Sequence, residues 1–277
     1  MENLIFILQA RLLEMGSDVH SDTQRVLLKE VLGAYVLDFI YNHNVYRTLN
    51  FYGGTCLHAV YGLNRLSEDI DLDNQAGIDL SDLPEQVKQF CAQNLGYPAT
   101  YVSTQRSRQD ILRIILRFPI LGALGLSMHA DENLHLKLEI SHHGQIARID
   151  HTPIIYFGRS FAPAHFSLPT MMAGKMLACI ERNFVSGSAD FKGRDFYDLL
   201  WLMEKGVKPL EEKLQKDGKI SYDIYSAFAT ITQKINAISI SALRSDLRPL
   251  FSSAQYIDAW LSSFKDRYAH LMGGYTS

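Results

Sequence analysis

Three aspartates occupy alternate positions 69, 71 and 73 of the segment DIDLD, shortly after a pair of glycines. Ile70 and Leu72 stand between them, so a β-strand here would bury the aliphatic side chains and present carboxylates on its other face. Carboxylate oxygens are ligands for hard divalent cations. Two such cations, about 3.5–4 Å apart, can stabilise the attacking and leaving oxygens of a phosphoryl displacement. The segment therefore predicts metal-dependent phosphoryl transfer with Asp69 and Asp71 as ligands, and a solvated strand face is the alternative.

The glycine pair Gly53–Gly54 directly precedes a predicted short helix over residues 55–61. Glycine allows the backbone to approach a ligand, and the first turn of a helix offers unpaired N–H groups that suit a triphosphate. Two glycines alone more often form a simple turn. Beside the alternating aspartates, they predict a phosphate-binding turn.

A third carboxylate is expected from a neighbouring strand. The segment LHLKLEIS alternates apolar and polar residues almost perfectly, which predicts a strand with one buried face. Glu139 lies on the polar face and is the predicted third metal ligand. The alternative is a surface ion pair with Lys137 or with an arginine.

Charged residues also recur in the second half of the chain. Lys175 and Arg182 are seven residues apart on one predicted helix face, an arrangement that suits the phosphates of a nucleotide. Lys175 has apolar neighbours, so an ammonium that merely extends to solvent is the alternative. Asp195 and Asp198 share a face of the next helix, where stabilisation of the helix N-terminus is the simpler role.

The elements that would position these residues change in kind along the chain. Helical spacing predicts helices over residues 22–42 and 80–94, and strand patterns cover 47–52, 70–73, 111–118, 134–141 and 147–155. Beyond Pro163 only helices are predicted, over 168–183, 194–205, 208–216, 222–237, 240–250 and 254–271. This order indicates an α+β fold: a catalytic domain over 1–160 with a mixed sheet, and a helical bundle domain over 161–277.

The motifs together resemble those of polymerase-β-like nucleotidyltransferases, and more narrowly of the AbiEii/AbiGii toxin family of type IV toxin–antitoxin and abortive-infection systems. The first half of the resemblance is GG-T-x-L followed by R-x-S-x-D-x-D. In this sequence it falls on Gly53, Gly54, Thr55, Leu57, Arg65, Ser67, Asp69 and Asp71. The later family motifs follow in order, with Glu139 in KLEI, Lys175 in a helix, and Arg194, Asp195, Asp198 and Leu199 in RDFYDL. The resemblance covers residues 22–205, and the last 70 or so residues match no motif.

The resemblance implies a toxin that binds a nucleoside triphosphate with Mg²⁺ or Mn²⁺ and transfers a nucleotide, with RNA such as a tRNA 3′ end as one expected acceptor. It implies that the helical domain closes the nucleotide cleft. A cognate antitoxin is a candidate partner, and its existence stays open. The implied catalytic residues are Asp69, Asp71, Glu139, Lys175 and Asp195. The implied nucleotide-binding residues are Gly53, Gly54, Thr55, Arg65, Ser67, Lys175, Arg182 and Asp198. A nucleotide-binding module without turnover, and transfer to a protein or small molecule, stay open.

Composition limits the partners. The 277 residues carry a formal net charge of -3, so no overall positive field favours nucleic acid. A local basic stretch, Arg106, Arg108, Arg113 and Arg117, suits an RNA backbone, and a solvated strand face is the alternative for Arg113 and Arg117. The three scattered cysteines suit a reducing compartment. No segment reaches the roughly 18 apolar residues of a spanning helix, and the N-terminus lacks signal-peptide features. We therefore expect a cytoplasmic protein with no membrane contact.

Overall fold

The computed structural model describes residues 3–16, 18–107, 110–142, 144–182 and 192–275. The chain divides into two units, each with its own core. The first comprises Met1–Gly144 and Asp150–His165, and the second comprises Gln145–Ile149 and Phe166–Ser277. The fold is α+β, with a mixed sheet in the first unit and helices in the second, which confirms the predicted fold class.

The strands of the described residues are β1 (Asn50–Tyr52), β2 (Asp69–Asp73), β3 (Tyr101–Arg106), β4 (Ile111–Pro119), β5 (Asn133–Ser141), β6 (Ile149–His151), β7 (Ile154–Tyr156), β8 (Arg159–Phe161) and β9 (Ala164–Phe166). The helices are α1 (Leu4–Met15), α2 (Ser21–Asn42), α3 (Gly53–Tyr61), α4 (Leu83–Gln93), α5 (Leu168–Glu181), α6 (Arg194–Glu204), α7 (Glu211–Lys216), α8 (Ile224–Ala237), α9 (Ile240–Leu247) and α10 (Ala254–Met272). Short 3-10 turns cover Tyr46–Thr48 and Arg248–Leu250.

Seven strands form one sheet in the order β3-β4-β5-β2-β1-β9-β6, and β7 and β8 form a separate hairpin. β2 runs parallel to β5 and antiparallel to β1. This register makes Asp71 the partner of both Tyr52 and Glu139, and it makes Asp69 the partner of Lys137. Since paired residues on neighbouring strands point to the same face, the predicted acids share one face of the sheet.

The other face of the sheet forms the core of the first unit. Ile70, Leu72, Leu138 and Ile140 are buried there, as the alternating pattern predicts. α2 packs against β2 and β5 on this side, and 14 of its 22 residues are buried. The helix therefore supports the two strands that carry the predicted acids.

Three predictions about strands are wrong or incomplete. The predicted strand over 147–155 is two strands, β6 and β7, because Pro153 lacks the N–H that a continuous ladder needs. The region beyond Pro163 is not helical throughout, since β9 pairs in parallel with β1 through Ala164 and His165. β3, which ends at Arg106, was not predicted, because its polar sequence shows no alternation. Of the basic stretch that starts at Arg106, Arg108 lies outside the described residues.

In the second unit, α5 packs on α6, α7 and α8, and its methionines fill the core. Asp217 ties the segment before β6 to this unit by accepting the Ile146 N–H at 3.0 Å, while Lys213 pairs with Asp217 at 2.7 Å. The predicted helices are present, most of them with shorter ends, whereas α10 extends one residue beyond its predicted end. The helix predicted over 240–250, for example, changes to a 3-10 turn at Arg248, next to Pro249. Within the described residues, none of the helices combines the length and apolar character needed to cross a bilayer.

Candidate active site

β2 presents its predicted acids as the sequence pattern requires. Asp69 and Asp71 are partly exposed, whereas Ile70 and Leu72 are buried on the opposite face. Asp73 differs from the other two because it is fully buried and accepts a hydrogen bond from the Ser141 hydroxyl at 2.6 Å. The strand therefore offers two accessible carboxylates, and the third alternating acid is part of the structural core.

Gly53 lies directly beneath the Asp71 carboxylate. It opens α3 with a φ of +80°, in the region that favours glycine. A Cβ placed on Gly53 would stand 1.9 Å from Oδ2 of Asp71, so an alanine would require the carboxylate to move. Gly54 is similarly restricted, because its Cβ would stand 2.6 Å from Nη2 of Arg65 and 2.9 Å from Oγ of Ser67. Both glycines are required by close packing against residues of the R-x-S-x-D-x-D segment.

Thr55 connects the helix to the strand of acids. Its buried hydroxyl donates to the Asp69 carbonyl oxygen at 2.5 Å, and its oxygen lies 2.9 Å from the Ser67 hydroxyl oxygen. Arg65 and Ser67 are buried too, and the Arg65 guanidinium donates to the Leu66 carbonyl at 2.8 Å. The predicted nucleotide-binding residues of the first unit thus form one packed cluster at the start of α3 and β2.

Glu139 lies on the strand next to Asp71, but Arg113 holds its side chain. The Arg113 Nε donates to Oε1 of Glu139 at 2.7 Å, and the two residues are register partners across β4 and β5. Lys137 lies 4.0 Å from Asp69 on the same face. Among the described residues, no three His, Cys, Asp or Glu side chains converge as a set that could hold one metal ion. The predicted trio of Asp69, Asp71 and Glu139 is brought to one face of the sheet without being assembled as ligands.

The donor chemistry of this face nevertheless suits a divalent cation. Asp69 and Asp71 provide carboxylate oxygens, which are the ligands that Mg²⁺ and Mn²⁺ prefer. Glu139 can bind the same cation only if its ion pair with Arg113 breaks. Asp69 and Asp71 therefore fit a metal role directly, and the role of Glu139 stays a prediction.

The second unit contains its own group of charged residues. Lys175 Nζ lies 2.9 Å from Oδ1 of Asp195 and 2.7 Å from Oδ2 of Asp198, and Arg182 pairs with the other oxygen of Asp195. Only 14% of the Lys175 side chain is exposed, so its ammonium does not simply extend to solvent. The four predicted residues of this unit form a single ion cluster, in which the two aspartates are buried and Arg182 is partly exposed.

Asp195 remains ionised within this cluster. Burial alone would raise its pKa, but the Lys175 ammonium and the Arg182 guanidinium outweigh burial and lower the pKa below its usual range. The cluster joins the second half of α5 to the start of α6. Lys234 donates to the Arg182 carbonyl at 3.0 Å, and Asp246 accepts the Arg194 N–H at 3.0 Å, so both helix ends are capped.

Sequence reasoning missed two residues that contact the first half of the motif. Glu30 accepts the Ser67 N–H at 2.8 Å, and Lys29 pairs with Glu68 at 2.9 Å. The available signal was an acid at position 30 on the otherwise apolar side of α2. An ionisable residue in a buried stripe requires a partner, which here is the loop before β2.

A mixed sheet that carries paired carboxylates beside a glycine turn, with helices after it, is typical of the nucleotidyltransferase fold. The sequence matches the family described as "Nucleotidyl transferase AbiEii toxin, Type IV TA system" over residues 43–276. The chain belongs to this family and is a nucleotidyltransferase.

A solved structure supports the fold. It is a crystal structure described as a "putative nucleotidyltransferase from H. pylori", with a TM-score of 0.51 at 17% sequence identity. The match covers 88% of this chain and 92% of that one. No functionally curated protein matches the chain significantly.

Proposed function

We propose that the protein binds a nucleoside triphosphate with Mg²⁺ or Mn²⁺ and transfers a nucleotide to RNA such as a tRNA 3′ end. The observation that carries the proposal is the position of Asp71 directly over Gly53. It joins the accessible carboxylates of β2 and the glycine turn of α3 in one place. Membership of a nucleotidyltransferase toxin family supports the reaction class.

In the proposed reaction, the acceptor hydroxyl oxygen forms a bond to the α-phosphorus of the nucleotide. The bond from that phosphorus to the bridging oxygen breaks, and pyrophosphate leaves with the electron pair. A bound divalent cation supplies charge neutralisation at the reacting phosphate. Asp69 and Asp71 would hold this cation, and Gly53, Gly54 and Thr55 bind the triphosphate through their backbone N–H groups.

The proton of the acceptor hydroxyl needs a base. Glu139 is the candidate because it lies on the strand beside Asp71 and has a partly exposed carboxylate. Arg113 must release that carboxylate before it can accept a proton, and the freed guanidinium is then available to phosphate oxygens. Lys175, Arg182, Asp195 and Asp198 stay candidates for nucleotide contact, and the family assignment leads us to propose an antitoxin partner.

Nucleotide binding without turnover is the second candidate function. The Arg113–Glu139 ion pair favours it, because this pair neutralises the third carboxylate that catalysis would use. Transfer to a protein or small molecule would use the same step with a different acceptor. These alternatives differ in where a labelled nucleotide appears.

The test is incubation of purified protein with each α-labelled nucleoside triphosphate, Mg²⁺ and total RNA. We expect label in RNA and release of pyrophosphate, both lost in Asp71→Asn and in excess chelator. Asp131→Asn makes the same change of charge on an exposed loop before β5, away from Glu139, and should keep full activity. Label in protein or in small molecules would reassign the acceptor. Tight nucleotide binding with no product in any fraction would favour the binding module.

A further inference from the structure

Glu30 is a buried acid that no step of the proposed reaction uses. It lies in the middle of α2, and its residue exposure is only 2%. The helix around it supplies core residues to the sheet, including Val26, Val31 and Ala34. A carboxyl group in such surroundings is costly unless it has a specific partner. Its burial in the core therefore directs attention to its partner.

The partner of Glu30 is the loop that leads into β2. Oε1 of Glu30 accepts the Ser67 N–H at 2.8 Å, and the neighbouring Lys29 pairs with Glu68 at 2.9 Å. Two consecutive residues of α2 therefore hold two consecutive residues of the loop. We name these two contacts, Glu30–Ser67 and Lys29–Glu68, the α2 clamp. The clamp fixes the backbone immediately before Asp69.

From Ser67 the contacts continue to the acids of β2. The Ser67 hydroxyl lies 2.9 Å from that of Thr55, which in turn donates to the Asp69 carbonyl. Two residues further on, Asp71 stands over Gly53. A shift of the Ser67 amide would therefore move the backbone that places both carboxylates.

We propose that Glu30 is a positioning residue for nucleotide transfer: its ionised carboxylate holds the Ser67 amide, and the protonated form holds it less firmly. The catalytic consequence rests on the proposed function, whereas the hold on Ser67 does not. An ionised acceptor makes a shorter and stronger hydrogen bond to an N–H group than a neutral one does. Transfer therefore becomes faster as Glu30 loses its proton.

The surroundings place this change near neutral pH. Burial raises the pKa of Glu30 to about 8, against the smaller lowering effects of the Ser67 N–H, the Arg65 guanidinium and the nearby Tyr156 phenol. His58 faces the same carboxyl from α3, with 3.7 Å between its Nε2 and Oε2 of Glu30. Burial lowers the pKa of His58, so this neighbour is neutral over the same range.

The first measurement is hydrogen exchange at the Ser67 amide between pH 6.5 and 9, expressed as a protection factor so that the intrinsic pH dependence is removed. In the wild type we expect protection to rise about fivefold across this range as the acceptor becomes charged. Glu30→Gln keeps the size and an acceptor oxygen but cannot ionise, so its protection should stay constant. Lys29→Met removes the other half of the clamp and should lower protection while keeping the rise.

The second measurement is the pH profile of transfer. The wild-type kcat should rise with an apparent pKa near 8, and Glu30→Gln should lack this rise, with about fivefold lower kcat at pH 9 and an unchanged KM. If the role of Glu30 were purely structural, Glu30→Gln would lower the activity by the same factor at every pH.

Flat protection of the Ser67 amide in the wild type, or an equal rise in Glu30→Gln, would overturn the proposal. If the wild type transfers no nucleotide, the proposed function fails, but the exchange measurement still decides whether Glu30 controls the loop. The hydrogen-exchange series on the wild type can be interpreted even if the Glu30→Gln variant does not fold.

Discussion

Gly53→Ala tests whether the position of the Asp71 carboxylate sets the rate of transfer. An alanine Cβ would lie 1.9 Å from Oδ2 of Asp71, whereas ordinary contact begins at 3.4 Å. The carboxylate would therefore have to retreat by about 1.5 Å, which is 3.4 minus 1.9. A displacement of about 1 Å at a reacting centre costs on the order of 100-fold in rate. We expect kcat to fall by at least that factor.

Gly62→Ala is the matched control for backbone strain. Gly62 has a φ of +76°, close to the +80° of Gly53, but nothing lies within 4 Å of where its Cβ would stand. Both alanines should cost about 1–2 kcal/mol of folding stability from the left-handed backbone. Only the Gly53 variant should displace a carboxylate. Urea denaturation gives the two stabilities, and the labelled-nucleotide assay gives the two rates.

Two outcomes would refute this reasoning. If the Gly53→Ala variant folds and transfers nucleotides as fast as Gly62→Ala, the rate does not depend on the position of the Asp71 carboxylate over Gly53. Folded Gly62→Ala as slow as Gly53→Ala would mean that strain in α3, and not the carboxylate, limits the rate.

Two further predictions concern buried charges. Lys175→Met should lower the free energy of unfolding by about 3–5 kcal/mol, since it leaves Asp195 and Asp198 buried without their ammonium. Arg182→Met should lower it much less, because the Arg182 side chain is 37% exposed. Equal losses for the two variants in urea denaturation would contradict this prediction. Wild type should lose stability relative to Glu30→Gln, by an amount on the order of 5 kcal/mol, as pH rises from 4.5 to about 8. The unfolded chain ionises Glu30 from pH 4.5, whereas the folded chain keeps the proton up to about pH 8, and parallel unfolding curves would contradict the shift.

Local patterns were sufficient to predict the elements that carry the acids. β2 and β5 alternate because one face of each packs on α2, so their sequences show which residues lie on the open face. α2 was predictable from its helical spacing, and the predicted helix differs from the observed one by a single residue at its start. The strand patterns are produced by burial of one face, and the apolar run of α2 by burial of most of its length, both of which a single sequence records directly.

Features that depend on long-range pairing could not be predicted in this way. β3 has polar residues on both faces and, among the described residues, pairs with β4 alone, so its sequence carries no periodic signal. β9 is three residues long and is defined by its pairing with β1. The Arg113–Glu139 ion pair follows from the register of β4 and β5, although an arginine partner for Glu139 was one of the open alternatives. The buried ion cluster of Lys175 likewise needs the packing of α6 on α5.

The spacing of the first motif has an explanation in contacts among its own members. Gly53 packs under Asp71, Gly54 packs against Arg65 and Ser67, and Thr55 bonds to the backbone of the acid strand. Loss of activity after an alanine substitution at any of these positions would therefore not identify a nucleotide contact, because it would also displace a neighbour. Isosteric changes separate the two effects. Asp71→Asn keeps the fit over Gly53 and removes only the charge, whereas Gly53→Ala keeps the charge and moves it.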